Sequence, residues 1–222
     1  MSTRTRLVIG VSSLIICLLS LSAMGTLQAQ SVDAMYGKLP MSFEANMGQA
    51  DPSVKFLARG RGYGLMLTGS EAVLVLQPGS KAMAAKGQEL ARSKQRGLAS
   101  EISRASVRIR VANSNPAALL NGAQLLPGKA NYFIGRDPSK WRTGIATYAK
   151  VEQKAVYPGI DLVYYGNQRE LEYDFVVAPG ADPSKIRLAY DGVEGMEVEA
   201  DGGLALRTTL GTIHQRSPVV YQ

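Results

Sequence analysis

The chain has 222 residues, 45% apolar and 19% charged, with a net charge of +7 and a single histidine. That is enough for one sizeable core, as one large all-β domain or as two small ones. The only cysteine, Cys17, lies in an N-terminal apolar run, so the remainder can form no disulfide and lacks the preferred ligands of zinc and copper.

Arg4 and Arg6 precede the apolar run at residues 7–21, and Thr26-Leu27-Gln28-Ala29-Gln30 follows it. Charged start, apolar middle and small residue near the end predict a secretory signal over residues 1–29, cut after Ala29 or alternatively after Gly25. The first residues are then not part of the fold. The run is short for a membrane span of roughly 20 residues, so no stable span is expected after cleavage. Cys17 follows Ile16 rather than a small residue, which argues against a lipoprotein. Loss of Arg4 and Arg6 with the leader leaves a charge of +5.

Residues 30–39 read as a loose lead-in and residues 40–222 as one module. Strands are predicted at 54–58, 63–67 and 72–76. The last is apolar on both faces and so belongs in the middle of a sheet. The pattern breaks at about 78–104, read as a basic loop inserted in the domain; a short helix at 86–98 is the alternative. Lys81, Lys86, Arg92, Lys94, Arg96, Arg104, Arg108 and Arg110 face only Glu89 and Glu101 across this region. Such a stretch reads as a solvated, mobile connection, or alternatively as a patch that attracts anionic polymers; no aromatic residue is interleaved to stack on bases, so no nucleic-acid partner is expected.

Strands resume at 106–111. Residues 113–122 read as a turn region and 145–156 as one or two strands. Two runs, 160–165 and 170–177, flank Gly166-Asn167-Gln168-Arg169 and read as a hairpin. Ile160, Leu162 and Tyr164 must share a face with Leu171, Tyr173 and Phe175, which requires an even loop of two or four residues. Further strands are expected at 186–190, 196–199, 204–208, 212–215 and 218–221. Short strands about ten residues apart predict an all-β, antiparallel β-sandwich. Asp-Pro-Ser recurs at Asp51, Asp137 and Asp182, each shortly before a lysine, and reads as a reused turn.

Three clusters could carry chemistry. Glu170, Glu172 and Asp174 share one face of the hairpin, with Asp161 on the corresponding face of its partner; a four-residue loop would pair Asp161 directly with Asp174. Asp161, Glu172 and Asp174 could ligate Ca²⁺, act as a carboxylate hydrolase, or form a wet face balanced by Lys150, Lys154 or Arg169. Trp141, Tyr148 and Tyr165, with Tyr164 and Tyr173, could line a sugar-binding platform or belong to the core. His214 has no G-x-S-x-G partner motif, and no catalytic residue is assigned.

Phe43-Glu44-Ala45-Asn46-Met47-Gly48-Gln49, Val54-Lys55-Phe56-Leu57-Ala58-Arg59-Gly60, Asn131-Tyr132-Phe133-Ile134-Gly135, Asp137-Pro138-Ser139-Lys140-Trp141 and the block at 157–183 carry a resemblance. From Pro40 onward the chain resembles an uncharacterised exported bacterial module. That module stands at the N-terminus of long surface or secreted proteins, ahead of SBBP (seven-bladed β-propeller) repeats and Ig-like domains. The resemblance implies secretion or display at the cell surface and C-terminal β-repeat domains as partners; it brings no established activity or catalytic residues. In the family a Pro-Val-[Val/Ile]-Tyr-Gln ending leads into the repeats; here the chain stops at Gln222, as the module alone or as a truncated frame. The expectation is a non-enzymatic structural or recognition domain. The alternatives are a polysaccharide-binding module and a hydrolase.

Overall fold

The computed structural model describes residues 7–17, 40–60, 62–77, 105–167 and 170–221. The basic insertion at 78–104 and the cleavage position after Ala29 lie outside these residues. Among the described residues fifteen strands follow one another, and every pairing between them is antiparallel. They are β1 (Leu7–Cys17), β2 (Phe43–Ala45), β3 (Val54–Gly60), β4 (Tyr63–Thr68), β5 (Glu71–Leu76), β6 (Ala105–Val111), β7 (Leu120–Tyr132), β8 (Arg142–Tyr157), β9 (Ile160–Gly166), β10 (Glu170–Val177), β11 (Leu188–Asp191), β12 (Gly195–Val198), β13 (Leu204–Thr208), β14 (Gly211–Gln215) and β15 (Val219–Tyr221).

The hydrogen-bonded order is β11-β6-β5-β4-β3-β2-β8-β9-β10-β1-β14-β13-β12, with β7 added to β8 and β15 to β1. A sheet this wide must curl to bury its apolar face. Here the β5, β6 and β11 end folds over β9 and β10 as an all-β antiparallel sandwich. Ala72, Ile109, Val111 and Leu188 of one leaf meet Leu162, Tyr164, Leu171, Tyr173 and Phe175 of the other around a small apolar cavity. Alternation makes this work. In β4 Tyr63, Leu65 and Leu67 are buried while the residues between them are half-buried. In β6 Ala105, Val107, Ile109 and Val111 are buried and Ser106, Arg108 and Arg110 exposed. Each fully buried Leu, Val or Phe contributes about 1.5–3 kcal/mol relative to exposure. The apolar run of β5 lies between β4 and β6, as its composition predicts.

The central hairpin keeps the predicted parity. Ile160, Leu162 and Tyr164 are buried with Leu171, Tyr173 and Phe175. Asn167 and Glu170 exchange backbone hydrogen bonds, so the loop is the two-residue form. This corrects the Asp161–Asp174 pairing. Asp174 stands opposite Val163, and Asp161 stands two residues further along, opposite Val176.

Three strands differ from the sequence reading. Residues 113–122 read as a turn, yet Leu120 begins the thirteen-residue β7. Every β7 position is half-buried or exposed, so both faces are wet and no alternation marks it; Pro127-Gly128 adds a further breaker signal. β2 is only three residues long, below what a pattern can show. Leu7–Cys17, set outside the fold by the signal reading, is paired within the sheet as β1. An apolar, β-branched run satisfies a strand as readily as a leader.

Asp-Pro-Ser serves as a turn at all three positions. Asp51, Asp137 and Asp182 each accept the backbone N–H of the serine two residues on, at 2.8, 3.0 and 2.9 Å. The second and third open the short 3-10 turns Pro138–Lys140 and Pro183–Lys185.

Candidate functional site

The outer face of β9 and β10 gathers the carboxylates that the sequence singles out, but does not converge them. Asp161 accepts the backbone N–H of Ala155 at 2.8 Å and an ion pair from Lys154 at 3.1 Å. Ala155 has φ 52°, where β8 bulges between Gln153 and Tyr157. Asp161 thus clamps a strained bulge, and Lys154, also 2.9 Å from Glu152, is held above its ordinary pKa by that pair first.

Asp174 is buried, and its acceptors are satisfied by phenols. The Tyr165 hydroxyl lies 3.0 Å from both carboxylate oxygens and the Tyr221 hydroxyl 3.0 Å from Oδ2. Tyr165 itself is half-buried, carries Lys150 Nζ at 5.1 Å over its ring, and is pushed far up in pKa by burial and then by Asp174. Glu172 stands opposite Tyr165. Its carboxyl is raised above the ordinary value, chiefly by burial and then by the charges of Glu170 and Asp174. Arg216 partly offsets this and lies 3.5 Å from Glu170.

No group of three or more His, Cys, Asp or Glu side chains that could hold a metal ion exists among the described residues. Asp161 and Asp174 occupy different rungs of the hairpin, and each already has backbone, cation or phenol partners.

The raised Glu172 has a consequence for stability. A carboxyl whose folded pKa exceeds its unfolded value of about 4.3 stabilises the fold below that value and loses the contribution as pH rises through the folded pKa. Glu172→Gln is therefore expected to melt progressively higher relative to wild type from about pH 4 toward pH 7. A melting difference independent of pH would show that the crowding of Glu172 is relieved in solution.

The aromatic candidates are dispersed. Tyr148 stands edge-on to Phe56, with centroids 5.9 Å apart, and its ring covers Gly122. Trp141 stands edge-on to Phe133 at 5.2 Å and donates its indole N–H to the Gly135 carbonyl at 3.2 Å. Tyr165 is committed to Asp174. No two of Trp141, Tyr148 and Tyr165 are in ring contact among the described residues.

A second cluster escaped the sequence reading. The buried Glu44 of β2 accepts a hydrogen bond from Arg59 at 2.8 Å and another from the Tyr132 hydroxyl; Arg59 also donates to that hydroxyl, with its guanidinium 5.3 Å above the Tyr132 ring. Burial and the bond to Glu44 raise the Tyr132 phenol; the Tyr132 bond is the main cause of a raised Arg59. This triad ties the far end of β7 to the body of the sheet. Tyr132→Phe removes one donor from a carboxylate that keeps Arg59, so a loss of about 1 kcal/mol is expected in urea unfolding, with faster amide exchange in β7. Unchanged exchange would show that pairing to β8 alone anchors the strand. No local signal marks the triad, because 88 residues separate Tyr132 from Glu44.

Beyond the triad, the arm made by β7, the following loop and the start of β8 exposes apolar groups to an unusual degree. Leu119 is 74%, Leu125 63%, Phe133 62% and Ile134 67% exposed. His214 bonds Glu199 through Nδ1 at 2.9 Å, and no serine or threonine hydroxyl bonds it among the described residues.

A family model described as "Domain of unknown function (DUF7948)" matches residues 43–222. No curated protein and no solved structure matches the chain.

Proposed function

The chain belongs to the DUF7948 family, and from that premise we propose that it is an exported, non-enzymatic β-domain, the structural or recognition module of a cell-surface or secreted β-propeller-repeat protein. Export rests on the charged, apolar and small-residue succession of residues 1–29, with cleavage after Ala29. The C-terminal repeats enter through the sequence resemblance.

The observation that carries the reading is the β7–β8 arm. Among the described residues β7 pairs with β8 alone, and Leu119, Leu125, Phe133 and Ile134 stay exposed along and beyond it. Exposed apolar residues gathered on one arm are the signature of a contact surface. The carboxylates, by contrast, are spent on a bulge clamp, on phenols and on cations, which disfavours an acid–base pair. Exposed Phe133 beside Trp141 gives a second reading some support: a small polysaccharide-binding edge.

A thermal-shift series on the exported chain separates the two. A ligand that binds only the folded form raises the transition by mass action. A seven-bladed propeller segment is expected to raise it, and Phe133→Ser with Ile134→Ser to abolish the rise. A rise with a polysaccharide and none with the propeller segment would replace the first reading by the second. Ca²⁺ and EDTA serve as the metal arms, with no shift expected.

A further inference from the structure

Strand β1 lies inside the sheet. It is paired to β10 on one side and to β14 and β15 on the other. Leu7, Ile9, Val11 and Leu14 stand opposite Val177, Phe175, Tyr173 and Leu171, all four of them buried. Opposite the other edge stand residues 212–215 of β14 and 219–221 of β15. The same residues form the apolar heart of the leader proposed above. A leader removed on export takes an interior strand with it.

The two edges left behind cannot heal by closing up. β10 and β14 both run antiparallel to β1 and therefore parallel to each other. With β1 gone they stand about two strand spacings apart, roughly 10 Å, beyond direct hydrogen bonding. Among the described residues β15 pairs with β1 alone. The backbone N–H and C=O groups that face β1 lose their partners beside the most deeply buried apolar residues of the sandwich. An edge in that state is a template for strand addition.

We propose that the gap between β10 and β14–β15 is a strand-accepting site, filled by residues 7–17 before processing and, after export, by an extended segment of a second polypeptide. This rests on the export reading above. β1 itself defines the chemistry of the occupant. It is uncharged throughout, LVIGVSSLIIC, and apolar at the positions opposite Val177, Phe175, Tyr173 and Leu171. The incoming segment has the same features over at least seven residues and runs antiparallel to β10. Main-chain bonds to two edges supply affinity, and the alternate apolar positions supply specificity.

Cys17, the only cysteine, provides the test. It stands opposite Thr212, and antiparallel partners lie about 4.5–5.5 Å apart between Cα atoms, within disulfide reach. In the unprocessed full chain, Thr212→Cys is expected to form an internal disulfide under mild oxidation. Its rate should exceed that of Ser139→Cys, in the exposed 138–140 turn, at least about tenfold, because pairing raises the effective thiol concentration. The exported Thr212→Cys protein, with Cys17 gone, is then exposed to a synthetic peptide of residues 7–17. Capture of that peptide at 212, with a raised melting temperature, supports the proposal, provided the peptide carrying Ile9→Asp and Val11→Asp is not captured. Equal rates for the two internal cysteines, or equal or absent capture of the two peptides, overturns it. If mass spectrometry finds residues 1–29 still attached after export, the processing step and the second-polypeptide occupant both fall. A fast internal disulfide in that case shows that the failure lies with the export reading, not with the strand position.

Discussion

Replacing Phe175 by alanine is expected to lower the unfolding free energy by about 3–5 kcal/mol, the largest effect of any single substitution considered. The side chain is 1% exposed and sits where the two leaves of the sandwich meet. It stacks edge-on against Tyr173, with centroids 6.1 Å apart, and lies opposite Leu162 on β9. Truncation removes the transfer energy of the ring and leaves a void beside an existing cavity. Tyr173 and Leu162 belong to rigidly paired strands and can relax little into it. Against a total stability of about 5–15 kcal/mol, such a loss leaves a substantial unfolded fraction at 37 °C. Urea unfolding at 25 °C provides the measurement, with midpoint and slope read separately. A shift equivalent to less than about 1 kcal/mol would mean that the leaves do not close on each other as described.

Gly122→Ala is expected to destabilise by about 1–3 kcal/mol, although it only adds a methyl group. A Cβ at 122 would lie 2.6 Å from Cγ, Cδ1 and Cδ2 of Tyr148, the root of the ring rather than its mobile tip. Tyr148 cannot swing away freely, because Phe56 stands against it edge-on. The strain therefore falls on the β7–β8 ladder. Gly128→Ala is the matched control on the same strand: the nearest atom to its Cβ would be Thr147 Oγ1 at 4.0 Å. A loss at 122 alone, with a changed near-ultraviolet signal from Tyr148, identifies the ring as the cause. Equal losses at both positions would instead point to a general intolerance of side chains along β7.

The two predictions also mark where the sequence is legible. Phe175 could be placed in the core from the period-two alternation of residues 170–177 alone. Each residue of a half-buried strand reports its own environment, and the pleat makes that report regular. The same local logic held for the hairpin parity, for the central position of β5 and for the Asp-Pro-Ser turns. These depend on residues within a few positions of one another. Gly122 could not be placed, because β7 is wet on both faces and carries no alternation. Its significance comes from Tyr148, across the ladder and 26 positions away.

The candidate site was less legible than the fold, for the same reason. The sequence put Glu170, Glu172 and Asp174 on one face, which follows from the pleat. It could not decide between a two- and a four-residue loop, and that choice moved Asp161 two rungs from the position facing Asp174. Nor could it foresee that Tyr165 and Tyr221 would cover Asp174, or that Glu44, Arg59 and Tyr132 would meet.

By itself, then, the sequence determined an all-β antiparallel domain, the position of most strands, the core face of the central hairpin, and a leader-like apolar start. The tertiary structure decided the sheet order, the partners of each carboxylate, the exposed arm, and the seating of residues 7–17 between β10 and β14. The division follows the range of the physics. Alternation and turn chemistry act over two to five residues, whereas register and the covering of a sheet edge depend on chain segments that meet only after folding.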